Sequence, residues 1–395
     1  MKSLQRSPLF FAVRAVSVAG SMALVATPAF ADFTEVTTDN PFAAITSGTF
    51  GVSLTLVDLD SDGDLDALVW HSHQGDVAPF NAPDVSLYEN TGTRTAPVFT
   101  QVQDASGYGY GGDNFDVNPF ANSWGNPGLG HPVSAGDLDK DGLDDFVGGR
   151  SGYYSPHFLH GVSVNDGNGK ATGLTSLGDN TSANSMFAGT DIIPGGYGSP
   201  LLLDLDNDTD TDVITISAGL IYVYQNNGLD AVTNVLQLDS LDGANHPFTV
   251  GVGRDYLSQA YIGAPMAAAD LDNDGDLDIL MGVARGPADM RYFINTGSAS
   301  MAQFEELAVA GLDVSTAAAG AAPATGDIDG DGDADVVIVE YQGSGTATAT
   351  FRLFRNDSAT QAAPSPSNDS GSLGASLLGL FVGAAWLRRR KLRKS

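Results

Sequence analysis

The feature that most limits how this chain can fold is a nine-residue acidic ladder that returns five times, aspartate on alternate positions, with an apolar β-branched run behind it. The copies are DLDSDGDLD from Asp58, DLDKDGLDD from Asp137, DLDNDTDTD from Asp204, DLDNDGDLD from Asp270 and DIDGDGDAD from Asp327. They start 79, 67, 66 and 57 residues apart. Self-similarity on that scale marks a repeat architecture, in which each unit buries its apolar face against its neighbours.

A hard divalent cation such as calcium takes six to eight oxygens, and carboxylates at positions 1, 3 and 5 of a short turn converge on it, with positions 7 and 9 completing the shell. In the first copy the expected ligands are the side chains of Asp58, Asp60, Asp62 and Asp66 and the backbone carbonyl of Asp64. A carbonyl ligand at position 7 accommodates Leu143 in the second set, Asp137, Asp139, Asp141, Leu143 and Asp145. The remaining sets are Asp204, Asp206, Asp208, Asp210 and Asp212; Asp270, Asp272, Asp274, Asp276 and Asp278; and Asp327, Asp329, Asp331, Asp333 and Asp335. Glycine at position 6, as in Gly63, allows the sharp turn at positive φ. Thr209 stands there in the third copy, where a β-branched residue resists the left-handed conformation, so that loop is the poorest match.

Repulsion argues that such loops are made to be filled. Four carboxylates about 5 Å apart form six pairs at about 0.8 kcal/mol each in water, so about 5 kcal/mol opposes closing an empty loop. Magnesium fits less well, because it dehydrates reluctantly. An EF-hand is excluded: its twelfth position requires a bidentate Glu, and here that position holds Val69, Gly148, Thr215, Met281 and Ile338. The flanks are not helical either; ALVW, FVGG, VITI, ILMGV and VVIV follow the ladders and read as strands.

Residues 1–31 read as a secretory leader, with Lys2, Arg6 and Arg14 ahead of an apolar stretch and Ala29-Phe30-Ala31 as a cleavage site. At the far end, residues 371–395 carry a second apolar stretch that runs into Arg388, Arg389, Arg390, Lys391, Arg393 and Lys394. Its roughly 15 apolar residues would rise about 22 Å as a helix, short for a bilayer core of about 30 Å unless arginines snorkel and the bilayer thins. An Ala/Pro/Ser-rich linker, 358–370, precedes it. Three of the 18 basic residues lie in the leader and six in the tail, so the domain between carries nine against 48 acidic residues, a net of −39. Nucleic acid is excluded as a partner on that charge. The ladders hold 25 of the 48 acids, so most of the negative charge is ligand charge. There is no cysteine. Bound calcium is then the expected staple of an extracytoplasmic domain.

Other features recur in register with the ladders. An apolar stretch such as VSLTLV or PMAAA precedes, and a third element follows the second strand: VSLYENTG from Val85, VSVNDGNG from Val162 in a weaker version, IYVYQNNG from Ile221, RYFINTG from Arg291 and FRLFRNDS from Phe351. A fourth strand is read in PVFTQV from Pro97 and QFEEL from Gln303. Four short strands per unit make a β-propeller blade, so the expected fold is all-β, a propeller of four-stranded blades over 32–357. About 325 residues over five units leaves about 65 per blade, which favours five; seven with two degenerate blades is the alternative. The last repeat lacks a fourth strand, and Phe33-Thr34-Glu35-Val36 is expected to supply it and join the ends of the ring.

In these residues the chain resembles the FG-GAP and VCBS repeat families, calcium-loop propellers known from the integrin α-subunit head. Gly263-Ala264-Pro265 is a literal GAP element before its ladder, with looser versions at Gly130-His131-Pro132, Gly198-Ser199-Pro200 and Ala321-Ala322-Pro323. The tail resembles GlyGly-CTERM sorting signals of Gram-negative surface proteins, with Ser370-Gly371-Ser372 as a one-glycine motif. That resemblance implies display at the cell surface or outer membrane, membrane attachment unless the tail is cut, or secretion.

Catalytic chemistry is hard to find. His71 with His73, and His157 with His160 in a loop, lack a third metal ligand nearby and read as polar loop residues. There is no HExxH, no G-x-S-x-G and no thiol. Gly167-Asn168-Gly169-Lys170 lacks the first glycine of a phosphate loop, since Val164 stands there. Tyr108, Tyr110, Trp124, Tyr153 and Tyr154 cluster near loops, either as a sugar- or protein-binding face or as loop packing. The expectation is a monomeric, calcium-binding propeller that binds a protein or glycan at the cell surface. An extracellular polysaccharide hydrolase or lyase using the propeller channel is the alternative, and catalytic residues clustered at a channel mouth would distinguish it.

Overall fold

The computed structural model of the protein describes residues 33–45, 52–60, 62–71, 85–102, 133–140, 144–150, 157–165, 171–178, 186–189, 199–217, 220–248, 264–282, 290–298, 300–307, 311–314, 318, 320–341 and 349–356. All lie within the compact unit 1–358. The leader, the linker and the tail lie outside the described residues, as do Asp141, Leu143 and all five loop aromatics named above.

Among the described residues, twenty strands, numbered along the chain, form five separate four-stranded antiparallel sheets. β1 (Phe33–Glu35) belongs to the last of them. The first holds β2 (Val52–Val57), β3 (Asp66–His71), β4 (Val85–Asn90) and β5 (Phe99–Gln101), and the second β6 (Val133–Gly136), β7 (Asp145–Arg150), β8 (His157–Asn165) and β9 (Ala171–Gly178). The third is β10 (Ser199–Leu203), β11 (Asp212–Ser217), β12 (Leu220–Leu229) and β13 (Leu236–Ser240). The fourth is β14 (Met266–Ala269), β15 (Asp278–Met281), β16 (Arg291–Asn295) and β17 (Phe304–Leu307). In the fifth, β18 (Gly320–Gly326), β19 (Asp335–Tyr341) and β20 (Ala349–Asn356) are completed by β1, which pairs with β20 from Phe33 opposite Asn356 to Glu35 opposite Phe354.

The described residues therefore make an all-β, propeller-like arrangement. Burial explains the strand sequences. The second strands are covered on both faces, so they read as unbroken apolar runs; Val336, Val337, Ile338 and Val339 have no exposed surface. Outer strands are wetter, and in β5 and β17 one buried phenylalanine is followed by two exposed residues. First strands pair on one side only, which is why β10 and β18 tolerate Pro200 and Pro323.

First strands lie side by side, β2 next to β6, β6 next to β10, β10 next to β14, β14 next to β18, and β18 next to β2. Single hydrogen bonds tie several of these pairs: Thr55 Oγ1 donates to Val133 O (2.9 Å), Leu202 N to Ser134 Oγ (2.9 Å) and Thr325 Oγ1 to Ala268 O (2.9 Å). Apolar residues fill the space between sheets in five clusters. Phe146 joins Leu68 and Trp70 between the first two sheets; Met186 and Phe187 join Val147 and Val213 between the next two. Phe293 and Phe304 meet Ile214 and Ile216, Leu280 and Ile294 meet Val336 and Phe354, and Val337 and Leu353 meet Val69 and Phe99.

Three local readings change. His157 and His160 lie in β8, opposite Arg150 and Val147, and not in a loop. The fourth strands of the second and third repeats, β9 and β13, escaped notice, although LQLDS carries the period-two alternation of a half-buried strand. In the second sheet, the pairing of Phe146 with Gly161 sets Ser163, not Asn165, at the level where the other third strands carry asparagine.

The amino-terminal strand is held by charge as well as by its ladder. Arg352 forks onto Glu35, Nε to Oε1 at 2.7 Å and Nη2 to Oε2 at 2.8 Å, and also donates to Glu340 Oε1 at 2.8 Å. Phe33 is buried among Leu280, Ile294 and Phe354, whereas Thr34 is exposed. Phe33→Ala is expected to cost about 3–5 kcal/mol in urea unfolding. Thr34→Ala should stay within about 0.5 kcal/mol, and equal effects would contradict this placement of β1.

Candidate metal centres

Each ladder is the connection between the first and second strands of a sheet, and all five connections, 58–65, 137–144, 204–211, 270–277 and 327–334, span eight residues, so that position 9 opens the second strand. The loop is wound around its own carboxylates. Asp58 accepts from the amides of Asp62 (3.2 Å) and Gly63 (3.1 Å), Asp204 from those of Asp208 and Thr209, and Asp270 from those of Asp274 and Gly275. Position 5 then accepts from position 7, as Asp64 N donates to Asp62 Oδ1 at 3.1 Å. Short aspartate side chains capping their own backbone in this way make a turn without help from the rest of the protein.

Position 6 takes positive φ as expected, +95° at Gly63, +97° at Gly275 and +101° at Gly332. Thr209 adopts it too, at +75°, so the third loop keeps the shape of the others against the preference of its residue. Position 4 is also left-handed, at Lys140, Asn207, Asn273 and Gly330. The asparagines and glycine there were a readable signal for that conformation.

Position 9 joins the loop to the sheet. Asp66 Oδ2 accepts from Leu59 N (3.2 Å) and its Oδ1 from Asn90 N on the third strand (2.8 Å). Asp212, Asp278 and Asp335 repeat both bonds, with Leu205 and Asn226, Leu271 and Asn295, and Ile328 and Asn356. The asparagine in turn shapes the next turn: Asn90 Oδ1 accepts from Gly92 N and Val98 N, and Asn295 Oδ1 from Gly297 N and Gln303 N. That is the physical reason for the Asn-x-Gly of the first, third and fourth repeats.

The sequence-assigned carboxylates converge in part. Asp58, Asp60 and Asp62, and likewise Asp270, Asp272 and Asp274, place one oxygen each within 4.8 Å of one another. In the other three loops the close trio takes position 9 in place of position 5: Asp137, Asp139 and Asp145; Asp204, Asp206 and Asp212; and Asp327, Asp329 and Asp335. Oδ1 of Asp206 and Oδ2 of Asp272, both at position 3, are buried without a hydrogen-bond partner. A buried carboxylate oxygen that receives no donor is costly unless a cation meets it, so the third and fourth loops fit a hard ion. Burial pushes the position 9 carboxyls of Asp66, Asp212, Asp278 and Asp335 up to about 7, against the backbone amides that favour their charged form. Asp64 and Asp272 are raised to about 6, by burial first and by neighbouring aspartates second.

Sequence reading missed the side chains that approach the loops from elsewhere. Gln225 donates to Asp206, Lys140 pairs with Asp210 of the next loop, Arg94 pairs with Asp327, and Arg355 pairs with Asp329. Gln225 and Arg355 each stand one residue before the anchoring asparagine, and that offset was the available signal.

The stretch from 270 to 338 matches the FG-GAP-like repeat family model. It runs from the fourth acidic loop into β19, so the FG-GAP-like match takes in three strands of the fourth sheet, β15 to β17, together with β18 and the fifth loop. No curated protein matches the chain. Among solved structures, an Agrocybe aegerita lectin, described as recognising non-reducing terminal N-acetylglucosamine, is 16% identical over 79% of this chain and 82% of its own, with a TM-score of 0.34. The Photorhabdus luminescens Tc holotoxin pore is 13% identical over 84% of this chain and 15% of its own, with a TM-score of 0.36.

Two outcomes follow for the loops. A β-branched residue at positive φ costs about 1–2 kcal/mol, part of which glycine returns as unfolded-state entropy, so Thr209→Gly should raise stability by about 0.5–1 kcal/mol in urea titration. Destabilisation would refute the strain. Without cations, the four position 9 carboxyls bind protons more tightly folded, near 7, than unfolded, at the ordinary 3.8. Their contribution is complete below 3.8 and lost as the pH rises through 7, so in chelator the thermal midpoint should fall between pH 5 and pH 8. A bound cation competes with those protons and should reverse the slope.

Proposed function

We propose that the chain is a five-bladed β-propeller, stapled by calcium in its acidic loops, that works outside the cytoplasm as a ligand-binding module for a surface protein or glycan. Five four-stranded sheets, first strands adjacent from β2 round to β18 and back, and one apolar cluster per neighbouring pair favour five blades and closure of the ring. β1 beside β20 supports joining of the ends within the last blade. Calcium is favoured by the all-oxygen donor set and by the buried position 3 oxygens of Asp206 and Asp272.

The observation that carries the binding reading is the contrast between the two ends of the sheets. In an antiparallel four-stranded sheet the ladder shares its end with the connection between strands three and four; the other two kinds of connection emerge opposite. Ladders are all eight residues long, while the opposite connections run from 218–219 to 102–132. Connections of five to eight residues at one end, against two to 31 at the other, are what a rigid scaffold with a variable recognition face requires. Tyr108, Tyr110 and Trp124 fall within 102–132.

The first strands, which would line the channel, are VSLTLV, VSAG, SPLLL, MAAA and GAAPATG, without an ionisable side chain among them. That favours a binding module over a channel-based hydrolase or lyase, which needs carboxylates or other acid–base groups. The leader and tail sequences favour cell-surface display or secretion, and the domain would act as a monomer.

Thermal unfolding in calcium and in chelator tests the staple, with a higher midpoint expected in calcium. An unchanged midpoint would sink it. A glycan and surface-protein array probed with calcium present tests the face: alanine at Tyr108, Tyr110 and Trp124 together should abolish a hit that Val232→Ser, at the ladder end, leaves intact. The opposite pattern would move recognition to the ladder end.

A further inference from the structure

One position on the third strand differs in charge from sheet to sheet while its register is fixed. Opposite position 10 of the ladder stand Tyr88, Gly161, Tyr224, Phe293 and Phe354. The next residue along is Glu89, Val162, Gln225, Ile294 or Arg355. Where this side chain is polar it bears on the ladder. The Gln225 amide donates to Asp206 and the Arg355 guanidinium pairs with Asp329, both at position 3. Glu89 adds its negative charge beside Asp66.

In the fifth loop the converging trio is Asp327, Asp329 and Asp335. Arg355 Nη1 pairs with Asp329 Oδ2 and lies 3.8 Å from Asp335 Oδ2, while Arg94, from the β4–β5 hairpin of the first sheet, donates to Asp327 Oδ2. Every carboxylate of the trio thus has a guanidinium partner. Arginine stays charged at any pH the protein meets and forms directed bonds to carboxylate, so a divalent ion entering here would have to expel it or sit beside a like charge.

We propose that the Asp327 loop supplies its own cation, Arg355 with Arg94 standing where a divalent ion stands in the other ladders, so that this loop closes without metal. The comparison with the other loops rests on calcium filling them; the role of the arginines in the fifth does not. Because Arg94 belongs to the first sheet and β1 and β20 both lie in the fifth, the metal-independent loop falls where the two ends of the domain meet.

The test uses the full chain, calcium alone as the probe, and two reciprocal variants. Arg355→Gln gives the fifth loop the side chain of the third, and Gln225→Arg does the reverse. Equilibrium dialysis should find one calcium more per chain in Arg355→Gln and one fewer in Gln225→Arg. In chelator, Arg355→Gln should lower the thermal midpoint by about 3 °C or more, recovered on adding calcium. Unchanged stoichiometry in both variants with an unchanged midpoint in chelator overturns the proposal. Should Arg355→Gln not fold, Gln225→Arg decides alone, and full calcium binding there overturns it. If the wild-type chain binds no calcium, the calcium reading fails; the chelator midpoint of Arg355→Gln then decides whether arginine is the loop's cation, a loss upholding it and no change overturning it.

Discussion

In the first, third, fourth and fifth units the aspartate at position 9 is the interaction on which the remainder of the unit depends. One of its oxygens takes the amide at position 2, which closes the acidic loop, and the other takes the amide of the third-strand asparagine, which fixes the loop against the sheet. It does this from a buried place, with Asp212 and Asp278 wholly covered. A carboxylate in that position is tolerable only because donors meet both oxygens, so loop, second strand and third strand are ordered together. The asparagine extends the same chain of bonds to the following hairpin, and the repeat behaves as one linked object from ladder to fourth strand.

That linkage explains why the ladder connection keeps one length in all five sheets. The distance from position 1 to position 9 is set by hydrogen bonds inside the loop, and a residue added or removed would take position 9 away from the third strand. The opposite connections differ in length, from 218–219 to 102–132, which costs little in chain entropy. A constraint met at one end of a sheet leaves the other end available for recognition.

Much of this was legible in the sequence because the determining residues are local. Ladder spacing, the apolar runs behind it and the Asn-x-Gly turns are all contained within a few residues, and they gave the first three strands and the pairing of Phe33–Glu35 with the last repeat. What escaped was set by register or by distant partners. Ser163 in place of Asn165 follows from the register of β8 on β7, which leaves no mark in composition. Strand β13 was hidden because alternation in so short a segment is weak, and the conformation of Thr209 is imposed by the same bonds that shape glycine-bearing loops.

The ladders themselves are nearly interchangeable, and a reading confined to them makes five equal sites. Their surroundings are not equal. Glu89 deepens the negative field of the first loop, Gln225 leaves the third neutral at the same register, and Arg355 and Arg94 bring positive charge to the fifth. Lys140 reaches across from the second loop to Asp210 in the third. Local sequence sets the shape of each loop, and residues remote from it in sequence set the field in which that shape must hold a charge. Affinity for a cation follows the field as much as the shape, because identical donor sets differ in binding once a fixed charge stands within a few ångströms of one of them. A repeat protein can therefore keep one scaffold motif in every unit and still grade its sites, by changing a single third-strand residue that the motif does not contain.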